Sequence, residues 1–345
     1  MSSSTTLPQK SNANSIIDVA KFILSLFVVA IHTGLFPEYL YPWLSMAVPI
    51  FFIISAYFFF TKVKSAKSET EKNSMLAKYV LRNIKLYAFY FVLFAPLTIY
   101  NNPEWYSSGF LLGMVYFIRA VVFGTTFRAS WFISAQVVGI VLLFFMSKKL
   151  NNVVIMIIST GVLALILLSS SYNWTLDKSN GLNVFFENFT WFFSREMDHT
   201  FTVAFVWCSI GKCMAEAKKP CNKYLDIGYI VAGIILCIVE HRFILNMTGK
   251  GSWTLYASLF ILCPAICSLM NKATWYFPAS KYFRNASTII YASHFSIFTP
   301  VLIVLKKLNI ATSPILFVSL TFVCIVFSIV ILLLEKKIKF LKYAH

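Results

Sequence analysis

Three ionisable residues lie within the first long apolar run of the chain, IIDVAKFILSLFVVAIHTG. A charge at the centre of a spanning helix costs about 2.5 to 3.5 kcal/mol on insertion scales, so Asp18, Lys21 and His32 each need an explanation. The i, i+3 spacing lets Asp18 and Lys21 pair, and about three turns bring His32 onto the face of Lys21, roughly 16 Å along the axis. One helix face therefore offers a cation and an imidazole suited to acid–base chemistry. The same stripe also suits helix association, with His32 hydrogen-bonded to a neighbouring helix.

A second polar set lies in the later run FRNASTIIYASHFSIF. Ser287, Tyr291 and His294 are spaced by four and three residues and therefore share one helical face. Arg284 precedes them at the end that we expect to face the cytoplasm. Tyr291 and His294 add a hydroxyl and a second imidazole to the catalytic candidates.

Glu240 and His241 lie in another apolar run, at a depth similar to that of His32. Glu240 is a further catalytic candidate because a carboxylate can orient or ionise His32. Alternatively, Glu240, His241 and Arg242 mark the outer end of their helix, where water reaches them. The sequence leaves both interpretations open because it does not fix where the helix ends.

The segment KYVLRNIKLY places Lys78, Arg82 and Lys85 at i, i+4 and i+7 on one helical face. Such a basic face commonly anchors a protein to anionic headgroups. At the mouth of a helix bundle it also suits a ligand that carries phosphates. Both interpretations remain open from spacing alone.

The elements that must position these residues are membrane helices. Of the 345 residues, 59% are hydrophobic and 12% are charged, against about 25% charged in a soluble chain. This composition excludes a water-soluble globule and predicts an all-α polytopic membrane helix bundle. Apolar runs of about 17 to 25 residues predict ten spans. They are 16–36, 44–61, 86–100, 131–147, 152–170, 200–216, 225–244, 253–270, 286–304 and 313–334.

Two more apolar stretches are predicted not to span. Segment 108–124 contains three glycines and one arginine, and we expect it to dip into the membrane or lie along its interface. NVFFENFTWFF, within 171–199, is expected to lie on the membrane surface because aromatic side chains favour that level.

The net charge of +17 would suggest nucleic acid in a soluble protein, but basic residues also accumulate in cytoplasmic loops. With both termini in the cytoplasm, twenty-one Lys and Arg fall on the inner side and eight on the outer side. We therefore predict that orientation and no nucleic-acid partner. Residues 1–14 are predicted to be disordered, 15–335 to form the membrane domain and 336–345 to form a basic cytoplasmic tail. The seven cysteines show neither a disulfide framework nor metal-ligand spacing, so no metal is expected.

These motifs resemble the acyltransferase 3 family of integral-membrane acyltransferases, which includes bacterial O-acetyltransferases of surface polysaccharides. The family pattern in the first span is Asp-x-x-Arg, ten residues and His, which here reads Asp18, Lys21 and His32. Lys21 replaces the usual Arg, which keeps the charge but loses the bidentate fork. Over residues 15–335, further similar segments follow in family order: VPIFFIISAYFF, KYVLRNIKLY, WFISAQVVG, REMDHTFTVAFVWCSIGK and RNASTIIYASH.

The resemblance implies transfer of an acyl group, usually acetyl, from cytoplasmic acetyl-CoA to a hydroxyl of a cell-surface glycan or its lipid-linked precursor. By position, His32 corresponds to the catalytic His, Lys21 to its partner Arg and Asp18 to the acid. The resemblance also implies a multi-pass protein of a bacterial inner membrane, in contact with membrane lipid.

The resemblance extends to the acetyl-CoA site. Arg82 and Lys85 fall where the family has basic residues proposed to meet the CoA phosphates, and Lys78 shares their face. Trp131, which leads WFISAQVVG, is a further cofactor-binding candidate. Acyl transfer also needs donors for a developing oxyanion, for which Tyr291, His294 and Lys21 are candidates.

Two other functional classes are considered. A proton-coupled transporter would also bury His and Glu residues, but we find neither an inverted repeat nor a matched pair of broken spans. An amino-acid uptake or sensing module is the second alternative, because similar membrane domains occur fused to serine racemases. We expect no racemase domain in this chain.

Overall fold

The computed structural model describes residues 15–177, 179–218, 221–249, 255–273 and 275–345. The segment predicted to be disordered, 1–14, lies outside them. The described residues form α-helices, short 3-10 helices and connecting loops, with no strand among them. The α-helices are α1 Ser15–Thr33, α2 Tyr41–Ser45, α3 Ala47–Ser65, α4 Glu69–Leu93, α5 Ala95–Tyr100, α6 Glu104–Ser107, α7 Phe110–Phe123, α8 Ser130–Met146, α9 Asn152–Ser169, α10 Gly181–Phe193, α11 Phe201–Glu216, α12 Lys223–Thr248, α13 Leu259–Lys272, α14 Ser280–Lys307 and α15 Ser313–Leu334. The 3-10 helices are Glu38–Leu40, Asn173–Thr175, Met197–His199 and Lys339–Ala344.

The all-helical fold predicted from composition is confirmed, and several helices can cross a membrane. Within the described part of the chain, six candidates are long and apolar enough: α1, α2 with α3, α9, α12, α14 and α15. The other four predicted spans correspond to the apolar half of α4 and to α8, α11 and α13, which have 17, 16 and 14 residues. The predicted number of ten spans and the orientation of the termini therefore remain predictions.

The two segments predicted not to span are both short helices. α7 has 14 residues and α10 has 13, whereas a span needs about 20. The left-handed backbone of Gly124, with φ 69°, ends α7. Both helices expose large apolar side chains, including Phe110, Leu111 and Trp191.

The centre of the bundle is the packing of α11 against α3 and α8. Trp207, Phe52 and Ile140 are fully buried here. The α3–α11 contact is close because a Cβ built at Gly211 would lie 2.3 Å from the Ile53 carbonyl oxygen. Small residues allow this kind of approach between membrane helices.

α4 starts earlier than the apolar pattern predicts. The predicted span covers 86–100, but the helix begins at Glu69 and therefore includes the whole basic segment KYVLRNIKLY. The Ser68 side chain caps its first turn by accepting from the Glu71 backbone N–H. A hydropathy window does not detect this half of the helix because its residues are polar.

The C-terminal tail, predicted as 336–345, packs against α4 as a 3-10 helix, Lys339–Ala344. The Tyr90 hydroxyl donates a 3.0 Å hydrogen bond to the Ala344 carbonyl. The tail is therefore a structured part of the bundle.

Candidate functional site

α1 and α14 pack against each other and carry both polar sets predicted from sequence. α1 ends at Thr33, one residue after His32, and Gly34 follows with a left-handed φ of 62°. Glycine commonly ends a helix in this way. His32 is therefore in the last turn of α1, whereas Asp18 and Lys21 are near its start.

Four charged residues meet near the start of α1. Arg284 Nη1 lies 3.8 Å from Asp18 Oδ2, and Asp18 is buried. Lys21 interacts electrostatically with Asp18, Arg82 and Arg284. We call Asp18, Lys21, Arg82 and Arg284 the cationic layer. The predicted Asp18–Lys21 proximity is present, but the close ion pair recorded for Asp18 is with Arg284 of α14.

Two imidazoles meet at the other end of α1. The rings of His32 and His294 are stacked, with centroids 5.4 Å apart and planes 18° apart. The ring of Phe295 lies 4.1 Å from that of His32. His32 is exposed, whereas His294 is 2% exposed. We call His32 and His294 the imidazole pair.

The hydrogen bond of His294 identifies its protonated nitrogen. Nδ1 lies 2.7 Å from the Tyr291 carbonyl oxygen. Because a carbonyl can only accept, Nδ1 carries the hydrogen and Nε2 of the neutral ring holds the lone pair. Nε2 is buried and has no hydrogen-bond partner within the described structure. Neutral His294 can therefore take a proton but has no N–H left to offer an oxyanion.

Aromatic rings connect the cationic layer with the imidazole pair. Lys21 Nζ lies 6.0 Å from the Phe51 ring centroid, and Phe51 lies 5.5 Å from Tyr291. Tyr291 in turn lies 5.9 Å from His294. Phe132 packs on both Phe51 and Tyr291. Buried apolar walls therefore separate two polar groups on one helix, an arrangement that suits a ligand with a charged end and a reactive end.

Two residues beside the imidazole pair were not predicted. The Arg128 guanidinium lies 5.1 Å from the Phe295 ring centroid, and both Arg128 and His199 act electrostatically on His32. Arg128 lies between α7 and α8, and His199 precedes α11. The REMDH sequence was visible as part of a family match, but spacing alone does not place a loop residue beside α1.

His199 is positioned by its neighbour Asp198. Its Nδ1 lies 2.6 Å from Asp198 Oδ1, and its ring centroid lies 4.8 Å from that of Trp131. Burial disfavours the protonated ring, but the Asp198 carboxylate outweighs burial and raises the pKa of His199 above its ordinary value. The Asp198 carboxylate therefore favours the protonated, positively charged form of His199 beside the imidazole pair.

A small polar network between α3, α4 and α8 was also missed. Gln136 Nε2 donates to Ser55 Oγ at 2.8 Å and to Tyr79 Oη at 2.5 Å. Tyr79 interacts electrostatically with Arg82, which relates this network to the cationic layer. A single Gln in an otherwise apolar run was the available sequence signal.

Glu240 links α12 to the residues at the start of α13 by hydrogen bonds. Its carboxylate accepts from the backbone N–H groups of Ala257 and Ser258 at 2.6 and 2.8 Å, and from the Tyr172 hydroxyl at 2.8 Å. His241 Nδ1 contacts the Tyr256 hydroxyl at 2.9 Å. The titratable groups that act electrostatically on His32 are His294, Arg128 and His199, and they do not include Glu240. This geometry favours a structural role for Glu240.

The four predicted cofactor-binding residues do not form one cluster. Arg82 joins the cationic layer, while Lys85 Nζ lies 5.3 Å from the Tyr343 ring in the C-terminal tail. Lys78 is exposed on α4. Trp131 instead contacts His199, beside the imidazole pair. The structure therefore groups Trp131 with the imidazoles and Arg82 with Lys21.

One group of side chains in the described residues has ligand atoms close enough for a metal ion. Glu196, Asp198 and His199 place them within 4.8 Å of one another. Arg195 is an electrostatic neighbour of this group, and a guanidinium opposes cation binding. The expectation of no metal remains a prediction.

Comparison with known proteins identifies the class. The acyltransferase 3 model, described as an acyltransferase domain, matches residues 14–333. The chain therefore belongs to the acyltransferase 3 family, as its motifs predicted. The family and the long apolar helices together indicate a multi-pass membrane acyltransferase.

Two curated relatives are similar to parts of the chain, and both are amino-acid racemases of Enterococcus faecalis. One is 25% identical over 188 residues, covering 51% of this chain and 25% of the racemase. The other is 24% identical over 271 residues, covering 76% of this chain and 37% of the racemase. The aligned parts are thus well under half the length of these relatives. No solved structure gives a significant match.

Proposed function

We propose that the protein transfers an acetyl group from acetyl-CoA to a hydroxyl of a cell-surface glycan or its lipid-linked precursor. The observation that carries the proposal is the pairing of His32 with His294 on helices that also form the cationic layer. Family membership supports acyl transfer as the reaction.

The donor end of the proposed site is the cationic layer. Arg82, Lys21 and Arg284 carry three positive charges, of which Asp18 offsets one. A guanidinium suits phosphate because its donors form a planar fork. Arg82 and Arg284 are both exposed, so phosphates of acetyl-CoA can reach them from the same end of the bundle. The pantetheine arm then follows α1 towards His32.

The length of α1 suits this ligand. Lys21 and His32 are separated by three turns, or roughly 16 Å. A ligand with phosphates at one end and a thioester at the other must span such a gap. The rings of Phe51 and Tyr291 lie between the two ends and would line the path of the arm.

His32 acts as general base in the proposed reaction. It takes the proton of the acceptor hydroxyl while that oxygen attacks the thioester carbonyl carbon. The carbon–sulfur bond then breaks, and the protonated imidazole returns the proton to the CoA thiolate. The products are the acetyl ester and CoA. In the structure, the His294 ring stacks on the His32 ring.

The hydrogen bond of His294 and the distance of Lys21 leave Tyr291 among the three candidate oxyanion donors. Neutral His294 has already committed its N–H to the Tyr291 carbonyl. Lys21 is roughly three turns from His32. The Tyr291 hydroxyl, on the same face of α14 as His294, is therefore the proposed donor to the tetrahedral oxyanion.

The first experiment tests donor and reaction together. Full-length protein purified in detergent is given acetyl-CoA, and the free CoA thiol is measured with a thiol reagent, with and without surface glycan extracted from the producing cell. Thiol release that rises with glycan, together with acetyl transfer to it seen by mass spectrometry, supports the proposal. Release of thiol without glycan acetylation moves the acceptor to another hydroxyl compound, and no release contradicts the acetyl-CoA donor.

A second candidate function is amino-acid binding or uptake. The observation that favours it is the similarity to two amino-acid racemases of Enterococcus faecalis. The same purified protein can be tested by equilibrium binding of radiolabelled serine and other amino acids. Saturable binding without thiol release from acetyl-CoA would favour this function over acyl transfer.

A further inference from the structure

A polar cavity lies apart from the candidate acyl-transfer site, where five helix ends converge. It has a volume of about 550 Å³ and is lined by the ends of α3, α8 and α11 and the starts of α4 and α9. Its charged side chains are four lysines and two glutamates: Lys64, Lys72, Lys148, Lys212, Glu69 and Glu216. No member of the cationic layer or the imidazole pair lines it. The lysine excess makes the cavity attractive to an anion.

Part of the cavity lining consists of polar groups that are hydrogen-bonded to one another. Lys212 is 2% exposed, and its Nζ donates to Asn152 Oδ1 and to Glu216 Oε2, both at 2.6 Å. Asn152 Nδ2 also donates to Glu216 Oε2 at 2.9 Å. The Glu216 carboxylate therefore accepts hydrogen bonds from both the Lys212 ammonium and the Asn152 amide.

The other lysines of the cavity are less buried than Lys212. Lys72 and Lys148 share the Glu69 carboxylate, at 2.6 and 3.4 Å. Lys64 Nζ donates to the Ala215 carbonyl, a neutral group, at 3.3 Å. Lys64 and Lys148 are exposed, so their ammonium groups can turn towards a ligand.

An apolar groove continues from the same cavity. It has a volume of about 520 Å³ and is lined by Asn152, Val153, Met156, Ile157, Thr160 and Cys213. Asn152 lines both spaces. The groove follows α9, a helix long and apolar enough to span a membrane, so its open side faces acyl chains when the protein is in a bilayer.

We propose that the polar cavity and the apolar groove together bind one anionic phospholipid, with its phosphate among the lysines and an acyl chain along α9. Asn152 lies at the boundary between the two parts. Charge complementarity and the continuity of the two spaces argue for this occupant. A small anion would use only the cavity, and a neutral lipid would not balance the excess of four lysines over two glutamates in its lining. The site is independent of the proposed acyl transfer.

The test measures lipid binding to the full-length protein. Detergent-purified protein is titrated with phosphatidylglycerol, phosphatidylcholine or glycerol 1-phosphate, and bound ligand is counted by native mass spectrometry. Saturable binding of phosphatidylglycerol, clearly tighter than binding of the other two, supports the site. Equal binding of phosphatidylcholine would overturn the role of the lysines, and equal binding of glycerol 1-phosphate would overturn the role of the groove.

Two matched pairs of variants locate the lipid. Lys148→Gln removes a charge that lines the cavity, and Lys149→Gln removes the neighbouring exposed charge, which does not. We expect about five-fold weaker phosphatidylglycerol binding for K148Q alone, since one basic residue near a membrane surface contributes about that factor. Equal effects of the two substitutions would overturn the assignment.

The second pair addresses the acyl chain. Ile157→Trp fills the groove, whereas Ile158→Trp changes the adjacent exposed position, which does not line it. I157W is expected to weaken binding of long-chain phosphatidylglycerol while leaving a short-chain form unaffected. Retention of normal thermal unfolding in all four variants shows that they fold. Unaltered long-chain binding by folded I157W would contradict the proposed path of the chain.

Discussion

The two imidazoles of the site differ in their burial and in their contacts. His294 is buried and donates its Nδ1–H to a backbone carbonyl, whereas His32 is exposed and its ring contacts that of Phe295. Exposure gives His32 access to an acceptor, and the fixed hydrogen bond gives His294 one orientation. The proposed assignment of His32 as base and Tyr291 as oxyanion donor follows from this difference.

Removal of one hydroxyl tests the oxyanion assignment. Tyr291→Phe keeps the ring that packs on Phe51 and Phe132 and deletes only the donor. We expect kcat to fall about a hundredfold, since one oxyanion donor contributes about 10²–10³ in rate, with little change in the KM for acetyl-CoA. Steady-state kinetics of acetyl transfer measure both parameters.

The matched control for this change is Tyr282→Phe. Tyr282 is on the same helix but is 60% exposed, so loss of its hydroxyl should leave kcat unchanged. Wild-type kcat in Y291F would remove Tyr291 from the mechanism.

At the scale of elements, α4 brings Arg82 of the basic face to the cationic layer. Arg82 interacts with Lys21, whereas no such interaction is recorded for Lys78. Arg82→Gln should therefore raise the KM for acetyl-CoA about tenfold, the loss expected for a charge-assisted phosphate contact of roughly 1.5 kcal/mol, and Lys78→Gln should raise it less.

S-acetyl-pantetheine provides the control for the phosphate contact. This donor carries the thioester but lacks the nucleotide phosphates, so R82Q should use it as well as the wild type does. An equal defect with both donors would show that Arg82 acts on the fold or on the thioester. A KM for acetyl-CoA unchanged in R82Q would place the phosphates elsewhere.

The contact between α3 and α11 depends on a glycine. An alanine Cβ at Gly211 would lie 2.3 Å from the Ile53 carbonyl oxygen and 2.9 Å from Ala56 Cβ. Gly211→Ala should therefore lower the free energy of unfolding by about 1–3 kcal/mol, the usual cost of overpacking. Gly161→Ala, in α9, meets no atom within 4 Å and should be neutral. Reversible unfolding in detergent would measure both, and equal stability of the two variants would contradict the close approach.

Sequence spacing predicted those parts of the site that lie within one helix. Asp18, Lys21 and His32 share the predicted face of α1, and Tyr291 and His294 share that of α14, because helical geometry is local. The spacing did not predict Arg128 and His199, which reach His32 from two loops. It also could not show that Glu240 is held by residues 257 and 258, since that contact depends on how α12 and α13 pack.

Across the whole molecule, the polar groups occupy separate places around an apolar core. The cationic layer and the imidazole pair mark the two ends of α1, and the lysine-lined cavity lies where five other helix ends meet. Each polar place is formed by at least two helices that are distant in sequence. Such separation suits the proposed transfer from a charged donor to an acceptor at another level of the membrane.

The account depends most on His32, and its removal is the most direct test. His32→Ala should leave the core packing in place, because His32 is exposed. The purified variant should be recovered from membranes in normal amounts, with acetyl-transfer turnover lower by about two to four decades, as expected for loss of a general base. Turnover close to that of the wild type, measured with radiolabelled acetyl-CoA, would contradict the proposed mechanism.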